Sequence, residues 1–148
     1  MKNKLHYFKP CFWLIVIIFF LSACENELTG DVDLAEAIEG QWNVEEDSEV
    51  MGTSGYSVYI GIYSDDSSSV SISNFYQLSY DSDPVIGDIS DNRIELRPNQ
   101  VINSLGVSYT VKSGTGTITD DYKNIDWEYN VDDGSGVIDN ATAIYTKK

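Results

Sequence analysis

Asp126 and Glu128 are the pair whose residue types and spacing come nearest to a reaction site in this chain. Two carboxylates flanking a sugar linkage are the machinery of glycoside hydrolysis. Side chains two residues apart on one face of a strand stand about 6–7 Å from each other. Yet Ile125-Asp126-Trp127-Glu128-Tyr129-Asn130-Val131-Asp132 alternates apolar and polar residues without a fault. Such a strand puts acidic pairs on its wet face automatically, and nothing sets one carboxyl apart from the other as catalysis requires. No catalytic residue is assigned, and the chain is not read as an enzyme.

Other chemistries are excluded by inventory. The one histidine is His6 and the two cysteines are Cys11 and Cys24, so residues 25–148 contain neither type. A Ser-His-Asp or Cys-His mechanism needs that histidine, and a zinc site of the His/Cys kind needs those ligands. The acidic clusters Asp65-Asp66, Asp81-Ser82-Asp83, Asp120-Asp121 and Asp132-Asp133-Gly134 lack the alternate acids, sixth glycine and twelfth glutamate of a calcium-binding EF-hand loop. They read as solvated turns, where Asp and Gly serve backbone geometry. No metal and no cofactor are expected.

Aromatic residues offer a binding chemistry instead. Tyr59 and Tyr63 share the polar face of one strand, about 13 Å apart, a span that suits stacking on separated sugar rings. The alternative is that they merely cover neighbouring strands. Trp127, on the apolar face of its strand, is the third candidate ligand contact and equally a core residue.

The elements that must carry these side chains are strands. Tyr56, Val58, Ile60 and Ile62 alternate with Ser57, Tyr59, Gly61 and Tyr63, and Val70 and Ile72 alternate with serines. Period two with one apolar face marks a half-buried strand. The pattern predicts eight strands, over 40–47, 55–63, 69–76, 84–90, 92–97, 106–119, 123–131 and 138–146. The sixth is expected to bulge at Gly114-Thr115-Gly116, since interior glycine often marks a bulge. Residues 31–38 predict a short helix, with Asp31 and Asp33 near its N-terminus and Gly40 just past its end. Eight short antiparallel strands fit a sandwich or a barrel, and a barrel leaves no exposed edge to protect. Function is expected in the rim, near 64–68, 81–84 and 98–105, with the barrel interior packed.

The N-terminus reads separately. Lys2, Lys4 and Lys9 precede an uncharged run from Cys11 to Leu21, which ends in Leu21-Ser22-Ala23-Cys24. A basic region, a short apolar run and small residues compose a secretory signal peptide, and eleven apolar residues are fewer than the roughly 20 that span a bilayer. The ending resembles the lipobox of bacterial lipoproteins. That resemblance implies cleavage before Cys24, lipidation of Cys24 and a membrane anchor of three acyl chains, where two already hold stably. Residues 1–23 would then be a signal peptide and 24–37 a lipidated tether with the short helix. All 24 acidic residues lie beyond the signal with only six of the nine basic ones, so the mature chain carries −18. That charge excludes nucleic acid, whose phosphates need a basic face.

Gly40-Gln41-Trp42 at the first strand resembles the Gly-x-Trp of lipocalins. The order of Ile94-Glu95-Leu96-Arg97-Pro98-Asn99-Gln100, Gly114-Thr115-Gly116-Thr117-Ile118, Ile125-Asp126-Trp127-Glu128-Tyr129 and Ala143-Ile144-Tyr145-Thr146 is similar to that of small lipocalin-like (calycin-type) β-barrel lipoproteins of Gram-negative bacteria. The resemblance implies an all-β, antiparallel eight-stranded calycin barrel over 38–148, with Gly40 and Trp42 closing one barrel end. It implies a monomer anchored in the cell envelope, at the outer membrane, and acting as a binding or interaction module. The ligand is a small molecule, a glycan or a protein. A small inhibitor or immunity-type protein that presents its loops to a partner is the alternative. Glycoside hydrolysis by exposed carboxylates is the enzymatic one.

Overall fold

The period-two segments form nine antiparallel strands in the computed structural model, which describes residues 33–63 and 68–148. These are β1 (Gly40–Ser48), β2 (Gly52–Ile62), β3 (Ser69–Ser73), β4 (Val85–Ser90), β5 (Arg93–Leu96), β6 (Gln100–Ser104), β7 (Val107–Ile118), β8 (Asn124–Asp132) and β9 (Ile138–Lys147). The signal segment, Cys24 with its tether, and residues 64–67 of the first expected rim loop lie outside the described residues. Hydrogen bonding runs from β1 through β2, β3 and β4 to β5, crosses from β5 to β7, and returns through β8 and β9 to β1. The result is a closed eight-stranded antiparallel β-barrel.

Nine strands make eight staves because β5 and β6 together form one. Arg93 to Glu95 pair with Thr117 to Thr115, and Gln100 to Ser104 pair with Val111 to Val107, so β5 and β6 lie in line along one edge of β7. The stretch 98–105, expected as rim loop, is therefore mostly strand. The interruption has a local cause, because Pro98 cannot donate to the ladder and Asn99 adopts φ 60°. The Gln100 side chain bridges the gap, accepting from the Ile86 amide and donating to the Ile86 carbonyl, both at 2.8 Å.

β7 corrects a second expectation. Its register shift falls between Val111 and Ser113, not at Gly114-Thr115-Gly116. The two glycines are there because large side chains lie against them. A Cβ on Gly116 would come within 2.8 Å of the Trp127 ring, and one on Gly114 within 2.6 Å of the Leu96 side chain.

The helix α1 (Leu34–Ile38) closes one end, called proximal here. Asp33 caps it by accepting from the Ala35 amide at 3.1 Å, satisfying an N–H that the first turn leaves over. Ala35 and Ile38 are fully buried. Trp42 is buried beneath them, and its indole N–H donates to the Ile38 carbonyl at 2.9 Å. Gly40 joins helix to strand with φ +131°, a region that only glycine enters without strain. Because the strands alternate in direction, the connections 49–51, 74–84, 105–106 and 133–137 all fall at the opposite, distal end. There the chain leaves β3 at Ser73, three residues earlier than expected. Asn74, Tyr76, Gln77 and Ser79 all have positive φ, which ends extended structure and folds 74–84 inward. Phe75, Tyr76 and Leu78 are buried as a result, and Phe75 packs on Tyr129 with ring centroids 4.7 Å apart.

Candidate functional site

Three places on the barrel carry chemistry, and the first lies inside it. The alternation that turns Trp42 and Val44 inward also turns Glu46 and Ser48 inward. Glu46 is 1% exposed. Its Oε2 accepts from the Tyr56 hydroxyl at 2.5 Å and from the Tyr129 hydroxyl, while Oε1 has no hydrogen-bond partner. Burial pushes the Tyr56, Tyr129 and Tyr145 hydroxyls well above their ordinary value of 10, and neighbouring acidic groups, Glu46 among them, push further. Phenols held protonated are donors, and Tyr56 and Tyr129 donate to Glu46, while the buried Tyr145 hydroxyl has no hydrogen-bond partner among the described residues. At 1% exposure, and bonded to Tyr129 on whose ring Phe75 packs, this carboxylate is shut off from solvent. Its chemistry is cohesive.

The second network stands at the distal end. Asp139 is 4% exposed. Its Oδ2 accepts from the Ser48 and Tyr76 hydroxyls and its Oδ1 from the Val50 amide at 3.1 Å. Ser48 Oγ in turn accepts from the Met51 amide at 2.7 Å and the Val50 amide at 3.2 Å. Burial, and next the bond to Asp139, raise the Tyr76 hydroxyl above its usual range. The short β1–β2 turn is thus tied from inside at two consecutive amides. Alternation could have placed Glu46 and Ser48 on the Trp42 face, but their polarity hides them from a search for apolar residues. Asp139 and its partners come from parts of the chain that only the closed barrel brings together.

The third place is the outer wall. Asp126 and Glu128 are exposed there with Thr117 and Thr142 and beside the half-buried Thr115, lining a broad open groove of about 1170 Å³ over β7, β8 and β9. Trp127 points the other way and is 2% exposed, its ring pressed on Gly116 and set 5.5 Å from the Tyr145 ring. Tyr59 and Tyr63 do lie outside, 40% and 41% exposed. Each is engaged locally. The Tyr59 hydroxyl donates to Glu39 at 3.3 Å, and its ring leans across Gly61. Tyr63 lies under the Arg97 guanidinium at 5.4 Å. Arg97 is itself held by Asp88 at 2.7 Å, a bond that keeps the Asp88 carboxyl below its usual range. Both rings are thus in contact with neighbours while remaining partly exposed. Among the described residues, no three His, Cys, Asp or Glu side chains converge to hold a metal.

Six exposed apolar side chains lie at the distal end, with Val101 and Ile144 exposed on the outer wall. Val50 and Met51 on the β1–β2 turn are 57% and 56% exposed, and Leu105 at the β6–β7 tip is fully so. Val137 and Ile138 at the β8–β9 connection and Tyr80 on the 74–84 loop are each more than half exposed.

No protein-family model matches the chain, and no curated protein matches it. Solved structures do match in fold. A redesigned β-barrel aligns with a TM-score of 0.52 at 14% identity, over 78% of this chain and 96% of that one. EF1p2_mFAP2b bound to DFHBI aligns with a TM-score of 0.51 at 13% identity, over 78% of this chain and 98% of that one. The chain belongs by architecture with small closed antiparallel β-barrels, and likeness at this identity concerns fold alone.

Proposed function

We propose that this protein is a lipocalin-like lipoprotein of the cell envelope, anchored through lipid on Cys24, whose barrel presents its distal loops to a partner protein. The observation that carries the reading is the position of the exposed apolar side chains. Six of them, Val50, Met51, Tyr80, Leu105, Val137 and Ile138, sit on or beside four separate connections at the barrel end opposite the helix, while Val101 and Ile144 lie on the outer wall. Exposed apolar groups gathered on one face mark interaction surfaces, whereas single scattered ones need no explanation. The interior supports the same choice. Eight strands enclose space that side chains can fill, and here Trp42, Trp127, Tyr145, Phe75 and several isoleucines occupy it. A small inhibitor or immunity-type role fits such loop presentation.

The test is site-specific photo-crosslinking in a bacterium that expresses the full chain. A crosslinking residue at Leu105 should give a discrete protein adduct, and one at the proximal turn residue Asp91 should not. Absence of an adduct from Leu105, or the same adducts from both positions, would refute the reading.

A further inference from the structure

We infer that the partner's docking face is an apolar cleft bordered by lysine and arginine, and that the Val50–Met51 turn is the anchor that enters it. The inference rests on the distal end being the docking surface, and it adds the partner's chemistry. Charge narrows the choice first. The four distal connections contain Glu49, Asp81, Asp83 and Asp133 and not one Lys or Arg. Asp132 at the end of β8 is already matched by Lys112 at 3.0 Å. Among the described residues none of Glu49, Asp81, Asp83 and Asp133 is ion-paired, and an apolar tip set among such carboxylates attracts a surface of opposite sign. A second copy of this chain would bring the same negative rim and be repelled. An anionic lipid surface would be repelled for the same reason.

Preorganisation narrows the anchor. Most exposed turns lose conformational freedom when they bind, and that loss weakens association. The β1–β2 turn is already held. Asp139 and Ser48, both buried, accept hydrogen bonds from the Val50 and Met51 amides. The backbone amides point in, toward those oxygens, while the two side chains remain more than half exposed. A buried aspartate is costly to keep in a barrel core unless it is well bonded. Here its bonds hold the Val50–Met51 turn from inside, whereas at the other exposed apolar pair, Val137 and Ile138, the Val137 amide donates only to the exposed Ser135. Binding energy concentrates in a few such rigid, apolar points, and methionine adapts readily to an irregular pocket.

The experiment uses the full lipidated chain in neutral detergent micelles. Its probes are fluorescent amphipathic peptides, one of leucine and lysine and one of leucine and glutamate, read by anisotropy. The leucine–lysine peptide should bind and the leucine–glutamate peptide should not. The double variant Val50→Asp with Met51→Asp adds negative charge, so attraction by charge alone would tighten binding. Anchoring predicts at least about tenfold weaker binding instead. Ile144→Asp on the outer wall should leave affinity within about twofold of the parent. Leu105→Asp should give an intermediate loss, and thermal melting of all three variants reports whether they remain folded.

Unchanged or tighter binding by the folded double variant would overturn the inference, as would equal binding of the two peptides. Co-sedimentation of the lipid-free Cys24→Ala chain with phosphatidylcholine vesicles, lost in the double variant, would reassign the turn to membrane and overturn it too. Should Leu105 crosslink a partner in cells while these peptide results fail, the stated chemistry is wrong and the docking surface stands.

Discussion

Tyr129 donates a hydrogen bond to Glu46 across the barrel interior, joining residues 83 positions apart. The same carboxylate oxygen takes the Tyr56 hydroxyl at 2.5 Å. Loss of one member of such a set leaves buried polar atoms unpaired, at roughly 1–3 kcal/mol for each group. Tyr129→Phe should cost about that much in urea unfolding. Glu46→Leu, which orphans two phenols, should cost more. The pair of changes together should cost clearly less than their sum, because the second removes a group the first had stranded. Strict additivity would mean that the two side chains do not depend on each other.

The raised tyrosines fix the sign of an alkaline effect. Burial holds the Tyr56, Tyr76, Tyr129 and Tyr145 hydroxyls above the ordinary value of 10. Above pH 10 the unfolded chain releases these protons and the folded chain keeps them, so the unfolded state binds fewer and stability falls as pH rises. Their contribution is fully present below pH 10. Melting temperature should therefore decline above that pH. The tyrosinate absorbance of these four residues should appear only together with loss of the β-sheet circular dichroism. Free titration of all the tyrosines in the folded protein would contradict the network.

Gly116→Ala should destabilise the barrel by roughly 1–3 kcal/mol, the usual result of forcing a methyl group into a packed core. The new Cβ would lie 2.8 Å from the Trp127 indole. Gly55→Ala is the control, since its nearest neighbour would be 3.8 Å away. Denaturant midpoints measured on both variants decide the point, and equal midpoints would remove the packing explanation.

Trp127→Ala should cost roughly 3–5 kcal/mol, as large-to-small changes in a core do. The ring is 2% exposed and rests between Gly116 and Tyr145. A loss below about 1 kcal/mol in denaturant unfolding would put Trp127 outside the core and return it to consideration as a ligand contact.

Cys24→Ala should abolish incorporation of radiolabelled palmitate and partition into detergent when the chain is expressed in a suitable bacterium. The expectation follows from the basic, apolar and small-residue order of residues 1–24. Equal labelling of parent and variant would end the lipoprotein reading.

What was legible beforehand was whatever one strand or one turn decides alone. Ile125, Trp127, Tyr129 and Val131 alternate with polar neighbours and are all buried, because successive side chains of a strand leave opposite faces. Asp33 ahead of Leu34 signals a helix start, since its carboxylate reaches an amide two residues on. The β6 segment escaped because Pro98 and Asn99 look like a loop. They do interrupt the backbone, but β7 continues as a template on the far side and Gln100 bridges the gap. Gly114 and Gly116 were misread because a missing side chain announces either a backbone kink or a neighbour needing room. Which one applies depends on where Trp127 and Leu96 arrive.

Local alternation, the closed sheet it favours and the N-terminal signal pattern belong to the sequence by itself. They depend on backbone geometry and on residue types within a few positions. Only the tertiary structure decided that Glu46 meets Tyr56 and Tyr129, that Asp139 holds the Val50 amide and the Ser48 hydroxyl, and that six exposed apolar side chains share one end. Glu46 and Tyr56 meet across one hairpin, but Glu46 and Tyr129 are 83 positions apart and Val50 and Asp139 are 89 apart. Their partners are set by the register of β1 against β2 and β9 and by closure through β5 and β7. Register is a property of several strands packed at once, since a shift of one residue turns every side chain to the other face.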